Sequence, residues 1–369
     1  MGKHKQSKLS PSLEQLELRF AFAGRLGDLL QRCFYEDADN WRLSTCFRIY
    51  YRLRRWIPLA LRQRMQQRRN RTLPVGDAWY RQHDFLQRWQ RALEEDLQCD
   101  PAPLIHPWPD GFSHSAIVTH DVETREGVAR VDRLASLEEQ HGIRSAWYFV
   151  PFQYKIDAGL LDDLRARGHE VGVHGYNHDG QLFSSKRRFQ QRVGSINSVG
   201  RDWHASGFRA PMMHRELSWM QSLEFDYDAS CFDIDPYQAM PGGVGGVWPF
   251  IVGNLVELPC TLPQDHTLFV TLQQQSTDVW RDKLELIRQL RGMAMCLVHP
   301  DYLSTPKHWV LYRELLDLLL SDDGAWHCLP HQASTWWRQR DQSRVVGTTI
   351  EEPAPTRGRL ASLAELFPT

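Results

Sequence analysis

The chain has 369 residues, enough for about two domains or for one barrel with an extension. Apolar residues make up 42% and charged residues 24%, which excludes a disordered chain, a collagen or a coiled coil as the main body. Lys+Arg 44 against Asp+Glu 45 gives a net charge of -1, so no global electrostatic case exists for a nucleic-acid partner.

The first residues, MGKHKQSKLS, lack the apolar core of a signal peptide, and no stretch of 18 apolar residues occurs. The seven cysteines are scattered without a C-x-x-C pair, which argues against a thiolate metal site or a disulfide framework. Such usage suits a reducing compartment, and a cytoplasmic protein is expected.

Residues 1–100 are predicted to form a helical, Arg-rich accessory region. From Arg48 to Arg71 there are nine arginines and no acid, interleaved with Ile49, Tyr50, Leu53, Trp56 and Leu61. Pro58 interrupts the helix pattern. Such a segment can be the solvated face of a helix packed on a larger domain. It can also make peripheral contact with an anionic membrane surface through residues 48–71, or meet a partner protein.

A Pro-rich joint, Cys99–Phe112, marks a boundary. Residues 101–340 then alternate short apolar runs with helical stretches. Strands are predicted at 115–119, 145–150, 170–174, 255–258 and 293–298. Helices are predicted at 128–141, 159–167, 183–203, 278–291 and 309–320. This alternation reads as parallel β/α units. Gly242–Gly246 is a loop without a following helix start, so it is no phosphate cradle. Residues 341–369 are expected to be a loosely ordered tail, with 360–367 able to dock as one short turn.

Three polar clusters follow predicted strands: Thr119-His120-Asp121-Val122-Glu123, His174-Gly175-Tyr176-Asn177-His178 and Leu297-Val298-His299. In parallel β/α barrels this end of the sheet is where active sites are built. Two imidazoles four residues apart, with a carboxylate from another strand, form the three-ligand set of a catalytic metal site. Nitrogen ligands of this kind favour zinc and its transition-metal neighbours over magnesium. A histidine pair alone can equally be buried and hydrogen-bonded.

The order of these clusters resembles that of the polysaccharide deacetylases, carbohydrate esterase family 4, over roughly residues 116–303. Thr119–Glu123 is similar to the family's first motif. Gly168-His169-Glu170-Val171-Gly172 leading to His174 and His178 resembles the second, Arg209-Ala210-Pro211 the third, and Leu297-Val298-His299 the last. The resemblance implies a distorted parallel (β/α) barrel of about seven strands. It also implies metal-dependent removal of acetyl groups from a saccharide, such as a polysaccharide or a glycoconjugate precursor for bacterial surface polysaccharide.

The metal ligands implied are Glu123, His174 and His178, with a divalent ion, zinc first. Asp121 is the implied general base, His299 the general acid, and Arg209 the partner of Asp121. The first motif departs from the family's, and a second alignment makes Asp121 the ligand in place of Glu123 and His120 the base. On a strand, 121 and 123 share one side while 120 faces away, which favours the first alignment. Gly175 stands where the family has Ser or Thr.

Asp301 can orient His299 or lie in solvent, and His169 and His266 are expected to be structural. Trp147, Tyr176, Tyr237, Trp248 and Tyr302 can stack on sugars, but barrel aromatics more often fill the core, and none is assigned to substrate. Competing functions are hydrolysis of another non-peptide carbon–nitrogen bond and silent saccharide binding on the same fold.

Overall fold

A computed structural model describes residues 13 and 15–368, apart from 39, 74, 82–83, 100–101 and 352–356. Residues 1–10, whose sequence bears on targeting, lie outside the described residues. The main sheet has ten strands. In chain order they are β1 (Leu18–Arg19), β2 (His114–Val122), β3 (Ala146–Phe149), β4 (Glu170–His174), β5 (Gly207–Arg209), β6 (Tyr227–Asp228), β7 (Phe250–Val252), β8 (Leu255–Glu257), β9 (Met293–Val298) and β10 (Ala325–His327).

Across the sheet the order is β1-β7-β8-β6-β5-β4-β3-β2-β9, with β10 beside the first part of β2. Every pairing from β8 through β9 is parallel, and β1 and β7 add an antiparallel edge. All nine residues of β2 are buried, as a strand covered on both faces requires.

Among the described residues no regular strand bridges β9 and the β8 side. The N–H groups of Thr261 and Leu262 both donate to the Met295 carbonyl, at 3.2 and 3.1 Å. The Met295 N–H donates to Thr261 Oγ1 at 3.0 Å. This irregular seam makes the barrel distorted. The parallel β/α units expected from the strand–helix alternation, and the distorted barrel implied by the resemblance, are the fold observed. Strands β5, β6, β7 and β10 escape a period-2 reading because each spans only two or three residues.

The helices that follow barrel strands include α5 (Val131–Gln140), α6 (Ala158–Ala166), α7 (Lys186–Asp202), α8 (Asp278–Gln289), α9 (Pro306–Leu320) and α10 (Pro330–Gln342). Four more precede the barrel: α1 (Gly24–Ala38), α2 (Thr45–Leu53), α3 (Leu59–Asn70) and α4 (Phe85–Gln98). Pro58 caps the start of α3 and separates it from a 3-10 turn at Arg54–Trp56. Among the described residues no helix is long and apolar enough to cross a membrane.

Helices α1 and α4 pack into the same core as the barrel. Leu26, Leu29, Leu30 and Cys33 of α1 are buried in the cluster that holds Met293 and Trp248. Asp96 of α4 accepts the Arg25 and Leu26 N–H groups at 2.9 and 3.0 Å, satisfying the otherwise open start of α1. Trp89 stacks on Trp248 at 4.8 Å and meets the edge of Phe367 at 5.4 Å, so one aromatic cluster joins α4, the barrel and the C-terminus. Leu360–Ala361 pairs with Leu104–Ile105, and Leu363, Leu366 and Phe367 are buried. The end of the tail is therefore docked.

Candidate active site

The site lies at the C-terminal ends of β2, β4, β5 and β9. Asp121 sits on β2, with Glu123 just beyond its end. His174 ends β4 and is the register partner of Arg209, which ends β5. His299 directly follows β9.

His120 points the other way. It is completely buried, donates from Nδ1 to the Val298 carbonyl (2.9 Å), and pairs with Glu138 of α5 at 2.6 Å. Its ring stacks on Trp147 at 4.1 Å. The structure therefore keeps His120 out of the cavity and brings Asp121 and Glu123 together on the inner side.

One atom each from Glu123, His174 and His178 lie within 4.8 Å of one another. Glu123 Oε1 is 2.8 Å from His178 Nε2 and 4.0 Å from His174 Nε2. Asp121 Oδ2 is 3.6 Å from His174 Nε2. Both imidazole Nε2 atoms are buried and neither makes an aligned hydrogen bond, the 2.8 Å approach of His178 to Glu123 included. Buried polar atoms normally find partners, so two unsatisfied nitrogens facing a carboxylate fit a divalent cation. His174 Nδ1 contacts the Arg209 carbonyl at 3.1 Å, which directs Nε2 inward as a ligating histidine needs.

The loop that carries His178 depends on Gly175. Its φ is +62°, and a Cβ there would sit 2.3 Å from Cδ of Pro211. His178 also has a positive φ, +54°. The Arg54 guanidinium, from the turn after α2, donates to the His178 carbonyl at 2.9 Å. Nothing in the motif pattern pointed to this contact from the first hundred residues.

The carboxylates and imidazoles are held in distinct protonation states. Burial opposes the charged form of Asp121, but the fields of His174, Arg209 and His299 outweigh it and lower its pKa. Arg209 is itself fully buried. It donates to Asp121 Oδ1 (3.0 Å), Thr119 Oγ1 (3.0 Å) and Ala229 O (2.9 Å). Glu123 is held well below the usual range, its burial cost outweighed first by His178. Burial pushes His174 down to about 4, so this imidazole is neutral and free to ligate.

His299 behaves oppositely. Burial alone would lower it, but Asp265 and then Glu123 raise it to about 10. Asp265 Oδ1 is 2.7 Å from His299 Nδ1, and Oδ2 accepts the His299 N–H at 2.8 Å. Asp301 does not take this part. It accepts the Glu123 N–H at 3.0 Å and the Thr124 hydroxyl. Asp265 lies 34 residues before His299, at the start of the helical turn His266–Thr271, and no spacing in the sequence marks it.

The cluster opens into a cavity of about 460 Å³. Phe47, Tyr50 and Tyr51 of α2 roof it, and Tyr237, His266 and Tyr302 wall it. His266, expected to be structural, thus faces the cavity. Trp147 and Trp248 are core residues.

No protein-family model matches the chain, and no curated protein resembles it significantly. Solved structures do. A structure described as a polysaccharide deacetylase from Mycobacterium smegmatis is 18% identical, with a TM-score of 0.52 over 68% of this chain and 99% of that one. Another so described, from Pseudomonas aeruginosa PAO1, is 14% identical, with a TM-score of 0.50 over 63% and 94%. The chain has the fold of the polysaccharide deacetylases.

Proposed function

We propose that this protein is a metal-dependent deacetylase acting on a saccharide, through hydrolysis of a non-peptide carbon–nitrogen bond. The observation that carries the reading is the triad of Glu123, His174 and His178, whose two buried Nε2 atoms no aligned hydrogen bond satisfies. Two nitrogens and one oxygen favour zinc. A cation held there would supply Lewis-acid polarisation of an acyl carbonyl and of water.

The chain's own residues do the proton work. Arg209 occupies Oδ1 of Asp121 and leaves Oδ2 toward the cluster, where it takes the proton of the attacking water. The water oxygen bonds to the acyl carbon, the carbon–nitrogen bond breaks, and His299 Nε2 gives its proton to the departing amine. Asp265 holds that imidazole charged and oriented.

Arg54, Arg62 and Arg69 line the same cavity, and among the described residues its carboxylates are Asp121 and Glu123. That charge pattern supports an anionic glycoconjugate precursor, the kind used for bacterial surface polysaccharide. All seven cysteines are free, which supports a cytoplasmic setting.

The test is metal content with acetate release from N-acetylated saccharides. The wild type should bind one zinc and release acetate. His174→Ala and His178→Ala should lose both. Stoichiometric metal without acetate release from any acetylated sugar would sink the reading.

A further inference from the structure

Nine large apolar side chains are conspicuously exposed among the described residues, and five fall within one stretch of seventeen residues. They are Ile49 (52% exposed), Leu53 (51%), Trp56 (72%), Leu61 (50%) and Met65 (49%). Soluble surfaces scatter such residues singly, so this concentration calls for a cause. The spacing is helical. Ile49 and Leu53 stand one turn apart on α2, with Trp56 in the turn beyond, and Leu61 and Met65 stand one turn apart on α3.

The same two helices have an opposite, occupied side. Phe47 and Tyr51 face the cavity, and Met65 also lines it, so Ile49, Leu53, Trp56 and Leu61 are the apolar side chains of the outer face. Arg54 holds the His178 carbonyl, and Arg69 donates to Tyr237 O at 2.9 Å. Packing on the barrel therefore accounts for the inner face and leaves the outer one unexplained. The outer face carries Arg48, Arg52, Arg64, Arg68 and Arg71, all exposed. No carboxylate occurs between Asn40 and Gly76 to balance them.

We propose that the outer face of residues 45–71 docks on an anionic phospholipid bilayer. The chemistry favours lipid over a protein partner. The apolar side chains alternate with long cations along two outward-facing helices, an arrangement that seats apolar tips at the acyl boundary and guanidinium groups among phosphates. Trp56, the most exposed, belongs to the residue type enriched at that interface. The uniform sign of charge selects anionic headgroups. Because the inner faces of these helices roof the cavity, docking sets the cavity beside the membrane. That consequence for a lipid-carried saccharide rests on the proposed activity, whereas the docking itself does not.

The experiment is cosedimentation of the full chain with phosphatidylcholine vesicles, with and without phosphatidylglycerol. The wild type should partition onto the anionic vesicles only, and less as salt rises. The double variant Leu53→Glu/Trp56→Glu should lose about tenfold or more in partitioning, with unchanged thermal midpoint and metal content. Each Arg→Gln change at 48, 52, 64 or 68 should cost about fivefold. Wild type that ignores anionic vesicles, or a double variant that binds like wild type, overturns the proposal. So does a concentration-dependent dimer that the same variants abolish without any vesicle binding, which would give this face to a second copy of the chain. Absence of acetate release would leave these readouts unaffected, so docking and deacetylation fail separately.

Discussion

Asp265 grips His299 twice, at the ring Nδ1 (2.7 Å) and at the backbone N–H (2.8 Å). One carboxylate thereby sets both the charge and the direction of the imidazole. Burial would discharge His299, yet Asp265 and Glu123 lift it to about 10. The protonated form donates, so activity is retained at neutral pH and declines as pH rises through about 10. Asp265→Asn removes most of that lift. The alkaline limb of the kcat profile should move to lower pH, with kcat falling about 100-fold and KM little changed. A variant with an unmoved limb would show that His299 is not the acid.

Asp121 and Glu123 differ in their partners. Asp121 is committed to Arg209, while Glu123 meets His178 at 2.8 Å. Asp121→Asn should therefore keep its zinc and lose turnover by about 10²–10⁴-fold. Glu123→Gln should lose zinc. Metal analysis of the two purified variants decides between the alignments, and zinc loss in Asp121→Asn would make Asp121 the ligand.

Gly175 occupies a left-handed position against Pro211. Gly175→Ser adds a Cβ where the proline ring lies and costs roughly 1–2 kcal/mol for the backbone conformation alone. The expected result is a lower thermal midpoint together with weaker zinc retention, since the same loop carries His178. Calorimetry of the metal-free and zinc-loaded variant measures both. An unchanged midpoint would mean that the loop can shift away from Pro211.

Acid should weaken the fold through two histidines remote from the site. Burial holds His106 and His114 at about 4, against an unfolded value near 6.5. Between those values the unfolded chain binds more protons than the native one. Stability is therefore intact above about pH 6.5 and declines as pH falls toward 4, by up to about 1.4 kcal/mol per pH unit for each histidine. Urea unfolding at pH 7 and pH 5 should show the drop, and His114→Gln should reduce it.

Much of the site could be read from the chain because its ligands sit next to long strands. The ligand His174 and the acid His299 each follow a run of apolar residues whose burial is written in the sequence, and strand parity puts Asp121 and Glu123 on the side away from His120. Asp265 had no such marker, because its role depends on a distant segment reaching the end of β9. Arg54 was equally hidden: an arginine among nine looks solvated until the fold brings it to the His178 carbonyl. The strand β1 is two residues long and acquires its identity only by pairing with β7.

The aromatic joint of Trp89, Trp248 and Phe367 ties α4 and the C-terminal segment to the barrel wall. Cutting the chain at the Pro-rich joint would not release a free-standing catalytic half. It would bare Trp248, unpair β7 and strip the cavity of its ceiling. The lining of the cavity and the packing of the fold thus draw on the same group of helices, and a change that retunes one must be tolerated by the other.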